Sequence, residues 1–132
     1  MRLCSNVPAQ SIIAMALSRR EETKAMLVPG GRVYEQRECV YKMLNSIPGI
    51  SAVKPQAAFY IFPKMDIEKF NIKDDERFAL DLLKQAKILI THGGGFHWPQ
   101  PDHFRVVYLP DVSMLTTACE RFARFFSRYQ QG

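Results

Sequence analysis

The spacing of apolar positions changes character along the chain, from a helical period to a strand period and back. Residues 6–27, "NVPAQSIIAMALSRREETKAML", place Ile12, Ile13, Ala16 and Leu17 on one helical face, with Asn6 as N-cap and Pro8 in the first turn. "VPGGR" breaks that helix, because Pro29-Gly30-Gly31 is turn chemistry. A second helix is predicted from about Val33 to Ser46, with Val33, Arg37, Val40, Tyr41 and Leu44 at helical spacing, and Pro48-Gly49 stops it. The period then shortens. "ISAVKP" and "AAFYIFP" are short, β-branched and aromatic runs bounded by prolines, and read as strands. "KMDIEKFNIK" reads as a polar connector, and Asp74 as the cap of a helix through Ala86 with Phe78, Leu82 and Leu83 inward. "KILITH" is a predicted strand, "GGGFHWPQPD" a loop and "HFRVVYL" a further strand. Asp111 caps a last helix whose stripe is Leu115, Ala118, Cys119, Phe122, Phe125, Phe126 and Tyr129. Helices flanking a small sheet of short strands make the class α/β, in its α+β form.

Composition narrows the classes. A chain of 132 residues with 47% hydrophobic and 23% charged residues is a globular domain or a piece of one, able to bury a real core. No apolar run approaches the ~18 residues of a membrane span, so no membrane partner is expected. The opening "MRLCSNVPAQ" lacks the long apolar core of a secretory leader. Cys4, Cys39 and Cys119 are odd in number and widely spaced, which suits reduced thiols in the cytoplasm. With three scattered histidines they compose no zinc site. The net charge of +5 permits weak attraction to polyanions. Yet Arg121, Arg124 and Arg128 read as the solvated face of the last helix, and no nucleic-acid partner is expected.

The stretch "ITHGGGFHWPQPDHFRVVYLP", residues 90–110, carries the chemistry. His92-Gly93-Gly94-Gly95 matches the oxyanion string of some esterases, but no glycine pair brackets a serine as a nucleophile elbow requires. A phosphate loop fails too, since Phe-His-Trp-Pro follows the glycines where Lys-Ser/Thr is needed. Arg105 remains. In a strand it shares a face with His103 and Val107, while Phe104, Val106 and Tyr108 share the other. An arginine among apolar residues reaches water or finds an anion, and its planar fork matches a carboxylate bidentately. On residues alone, a strand arginine in a local ion pair and a ligand contact stand level.

"VKPQAAFYIFPK", then "DDERFALDLLKQAKILITHGGGFHWPQPDHFRVVYLP", then a long amphipathic helix resembles the C-terminal part of class I pyridoxal-phosphate aminotransferases. "NVPAQ", "PGGRVYEQR" and the run ending at Arg105 resemble the bacterial alanine (glutamate–pyruvate) group in particular, and the likeness spans essentially the whole chain. The resemblance implies the small domain of such an enzyme, with residues 1–31 linking it to the large domain and residues 32–132 forming its body. It implies that Arg105 binds the substrate α-carboxylate, with Gly93, Gly94, Gly95, Phe96 and Phe59 as candidate pocket walls. His97 and Trp98 are further candidates. The implied partners are the large cofactor-binding domain of the same chain, a second subunit of a homodimer, and an amino acid and a 2-oxo acid of central amino-acid metabolism.

Two departures accompany the likeness. Ala57 stands where the family has glycine. The lysine that forms a Schiff base with the cofactor has no motif here. "SAVKPQ" around Lys54 is the nearest string, but Val53 is not small and Pro55 fixes an extended chain. Pyridoxal phosphate is therefore expected in a parent enzyme, and the chain by itself is expected to bind no cofactor and catalyse nothing. A stand-alone α+β module for an anionic ligand or nucleic acid is the competing reading.

Overall fold

In the computed structural model, which describes residues 5–132, the stripes of three long helices meet one face of a small sheet. The elements are α1 (Val7–Ser11), α2 (Ile13–Ser18), α3 (Arg20–Ala25), α4 (Arg32–Asn45), β1 (Ile50–Ser51), β2 (Tyr60–Ile61), β3 (Lys64–Met65), α5 (Asp75–Ala86), β4 (Thr91–His92), β5 (Phe104–Val107) and α6 (Val112–Phe126). A single 3-10 turn, Gly93–Phe96, joins β4 to the loop before β5. The predicted class is the one observed, helices around a small sheet.

Capping starts the helices where the sequence places them. Asp74 accepts the Arg77 N–H at 2.9 Å and Asp111 the Met114 N–H at 2.9 Å, each satisfying an N-terminal donor that the helix cannot. α4 has no such cap; Gly31 precedes it, and Gln36, buried in its second turn, donates to the Leu109 and Pro110 carbonyls instead. These bonds tie α4 to the chain entering α6, and the two helices pack together. Phe78 and Leu82 of α5, Val40 and Leu44 of α4, and Phe122 and Phe126 of α6 are all buried. Leu83 is half-exposed at 38%, so the inward face of α5 is narrower than its sequence suggests.

The strands are antiparallel: β2, β5 and β4 form a three-stranded sheet and β1 pairs β3 in a separate ribbon, with one bridge between Lys64 and His103. The register sets Tyr60 opposite Val107 and Thr91 opposite Arg105. Phe104 and Tyr108 point into the core, where the Phe104 ring stacks 5.8 Å from Phe122 and tilts 5.6 Å from Phe78. A period of two then turns His103, Arg105 and Val107 to the outer face.

Several sequence expectations need correction. The single helix over residues 6–27 is three short pieces with no buried residue. Ser11 and Ser18 bond back to the Pro8 and Met15 carbonyls, an alternative to the helical ladder. Asn6 does cap α1, accepting from Ala9. The strands in "ISAVKP" and "AAFYIFP" shrink to two residues each, because the prolines donate nothing to a ladder and Ala58 sits at φ 58°. "KILITH" keeps only Thr91–His92 as strand, since Lys87 turns into the left-handed region at φ 57° to end α5. The supposed polar connector holds β3 and three core side chains, Met65, Phe70 and Ile72. Tyr129 is buried but lies past the end of α6, on a tail fastened by Gln131, whose amide bonds to Asp74 from both its oxygen and its nitrogen. Cys4 lies outside the described residues.

Candidate functional site

Arg105 extends from the outer face of β5 into an aromatic corner. Its guanidinium carbon lies 4.5 Å from the centre of the Tyr60 ring and 4.3 Å from that of Phe96. Tyr60 arrives because its strand sets it opposite Val107, diagonal to Arg105, within reach of a long side chain. Phe96 arrives from the 3-10 turn that folds back over β4. Arg105 Nε is fully shielded and has no hydrogen-bond partner among the described residues, and no carboxylate there pairs with the side chain. The aromatic faces attract the cation and shield Nε, while the half-buried side chain borders a groove.

Next to this corner is a polar anchor. Asp102 is 8% exposed, and its Oδ1 accepts Trp98 Nε1–H at 2.9 Å and lies 2.6 Å from His103 Nδ1. Lys64 Nζ is 3.5 Å from Oδ2. Burial pushes the Asp102 carboxyl up, but the bonds from His103 and Trp98 with the charge of Lys64 outweigh it, holding its pKa below the usual carboxylate value. The His103 ring stacks on Phe62 at 4.9 Å and lies 4.5 Å from Trp98. Phe62 in turn meets Phe96 edge-on at 6.3 Å.

The glycines let the turn approach its supports. Gly93 N–H donates to the His103 carbonyl at 2.9 Å, and a Cβ at Gly93 would come within 2.8 Å of that oxygen. Gly94 N–H donates to Asp75 Oδ2 at 2.6 Å, so the first turn of α5 holds the start of the 3-10 turn. His97 leaves the turn at φ 57°. Gly95 is exposed, with a Cβ there 3.4 Å from Thr91.

The residues singled out from sequence fall into two places. Gly93, Gly94, Gly95, Phe96, His97 and Trp98 share the turn beside Arg105. Phe59 instead lines an apolar pocket of about 320 Å³ with Met26, Tyr34, Ala57 and Tyr108. Ala57 lies there too, and the left-handed φ falls on Ala58 rather than on Ala57. A larger groove, about 770 Å³, runs past Arg105 between Leu89, Val107, Leu109 and Met114. Tyr60, Asp75 and Asp102 were missed. Strand alternation puts Tyr60 on one face with Phe62, but only the strand register brings it to Arg105; nothing local links either aspartate to the turn.

Over residues 1–122 the chain matches the family model described as aminotransferase class I and II. The chain belongs to this family. A glutamate-pyruvate aminotransferase AlaA of Haemophilus influenzae is 51% identical over 99% of the chain and 32% of its own length. An alanine aminotransferase of Mycobacterium tuberculosis is 50% identical over 99% of the chain and 30% of its own length. The crystal structure of an aminotransferase from Escherichia coli superposes with a TM-score of 0.93 at 49% identity, covering 100% of this chain and 33% of that one. The chain thus spans about a third of the length of the aminotransferases it matches. Membership of the family implies pyridoxal phosphate as the cofactor of a parent enzyme. Lys54 Nζ pairs with Glu38 at 2.7 Å and Lys64 Nζ with Asp102 at 3.5 Å.

Proposed function

We propose that this chain is the C-terminal small domain of an aminotransferase that moves an amino group between alanine or glutamate and pyruvate or 2-oxoglutarate, and that Arg105 holds the substrate α-carboxylate. The observation that carries the proposal is the Arg105 guanidinium, ringed by Tyr60 and Phe96 with Nε unpartnered. A carboxylate is the anion whose two oxygens match the fork. The rings flank the guanidinium and attract its charge, which supports its holding a fixed position for an anion. Held in this way, the substrate's Cα is oriented for chemistry supplied by the large domain, and orientation alone can lower a barrier by several kcal/mol.

Residues 1–31 are the link to that large domain and residues 32–132 the body of the small one. Val7, Ile12, Ile13, Leu17 and Leu27 are each more than half exposed, which supports a covering by the large domain or by the second subunit of a cytoplasmic homodimer.

Arg105→Lys in the full-length enzyme tests the assignment. The charge remains and the fork is lost. The expected loss in kcat/KM is about 3 kcal/mol, a factor of over 100, for both the amino-acid and the oxo-acid half-reactions. An amine lacking the carboxylate should be indifferent to the change. Alanine turnover within a few-fold of the parental enzyme would reduce Arg105 to an ordinary strand residue.

A further inference from the structure

We infer that Asp102 is a positioning residue for the carboxylate clamp: by gripping Trp98 and His103 together, it sets the turn that lays Phe96 against the Arg105 guanidinium. The inference rests on the reading of Arg105 given above. No hydrogen bond from the described residues reaches Arg105 Nε, so the orientation of the fork depends on the rings beside it. Tyr60 is fixed by its strand. Phe96 stands at the end of a turn containing Gly93, Gly94 and Gly95, a sequence with little stiffness of its own.

What stiffens the turn is at its two ends. Asp75 takes Gly94 N–H at the start. At the far end, Trp98 N–H returns to the Gly93 carbonyl at 3.2 Å, and Trp98 Nε1–H reaches the Asp102 carboxylate. That same oxygen lies 2.6 Å from His103 Nδ1, two residues from Arg105 on the same strand face. The backbone of Asp102 is fixed as well, its carbonyl accepting Met65 N–H at 2.6 Å. Asp102 is therefore a buried side chain that, beside the Gly93 backbone bond to His103, touches both the turn bearing Phe96 and the strand bearing Arg105. Phe62 fills the space between, against His103, Trp98 and Phe96.

The test is made in the full-length holoenzyme with Trp98→Phe, which keeps a ring and loses the N–H, and with Asp102→Ala and Asp102→Asn. The probes are alanine; propionate, which has alanine's carboxylate without its amine; and ethylamine, which has the amine without the carboxylate. Trp98→Phe and Asp102→Ala should raise the alanine KM and the propionate Kd together, roughly tenfold, the effect of one misplaced hydrogen bond. Ethylamine turnover should fall far less than alanine turnover, and Asp102→Asn should recover most of the loss. If Asp102→Ala does not fold, Trp98→Phe carries the test. A lower melting temperature with KM and Kd unchanged would make Asp102 structural only and overturn the inference. So would a fall in ethylamine turnover in step with alanine. Arg105→Lys in the same assay separates the two claims. If it alone loses carboxylate affinity, the inference fails and the clamp stands; if it loses none, both fail.

Discussion

Residues 5–31 and residues 32–132 use similar apolar content to opposite ends. In the first stretch, α1, α2 and α3 contain no buried residue, although the run reads as an amphipathic helix. In the second, Phe78 alone meets Phe104, Phe125, Phe126 and Tyr129 at ring-centre distances from 5.6 to 6.1 Å. The difference is not in residue type but in whether a second apolar surface is present to receive the first. Helical stability comes mostly from such packing, and without it a segment of this length fragments.

The sharpest way to break this comparison is to cut one side chain from each region. Phe78→Ala should destabilise the body by about 3–5 kcal/mol, the cost of a large cavity among rings. Leu17→Ala, at a position 65% exposed, should change the stability of this chain by less than about 0.5 kcal/mol. Chemical denaturation measures both. A Leu17 effect near that of Phe78 would mean that the first helices are packed in solution. A marked cost for Leu17→Ala only in the full-length enzyme would place its cover in the remaining two thirds.

A second effect, smaller, reads the body alone, because residues 5–31 hold no tyrosine. Burial, aided by the hydrogen bond to Asp81, pushes the Tyr129 hydroxyl from its ordinary 10.0 up to about 12. A folded-state value raised in this way favours the neutral phenol, so its stabilisation is complete below pH 10 and drains away as pH rises through about 12. The melting temperature should fall across that window in the parental chain and fall less in Tyr129→Phe. Equal slopes in the two proteins would remove Tyr129 as the cause.

The smallest contrast sets one helix cap against another. Asp74→Ala removes the acceptor for Arg77 N–H at the start of α5 and should cost about 1 kcal/mol of global stability. Asn6→Ala removes the matching bond to Ala9 in α1, yet should leave the unfolding midpoint unchanged, because α1 is not coupled to the core. Only local amide exchange near Ala9 should quicken. Equal shifts in midpoint would show that the two regions unfold as one.

Local chemistry was legible from the chain itself. Asn6, Asp74 and Asp111 start helices because their side chains satisfy donors three residues away, within reach of any short peptide. The stripe of α6 and the placement of Arg105 on a strand follow from fixed periods of the backbone. The family likeness was legible as well, carried by the order of many short strings rather than by any one of them.

The tertiary structure decided what depends on partners far along the chain. It shortened the strands, buried Met65, Phe70 and Ile72 in a segment that reads as polar, and left Ile12 and Leu17 uncovered. It also built the corner around Arg105. Tyr60 comes 45 positions before it through strand register, Phe96 through a turn closed on Asp75, and Asp102 through a bond to Trp98. The sequence could name the arginine because one side chain carries its own chemistry. It could not name the company the arginine keeps, because strand register is chosen by the burial of a whole sheet face and no local pattern encodes it.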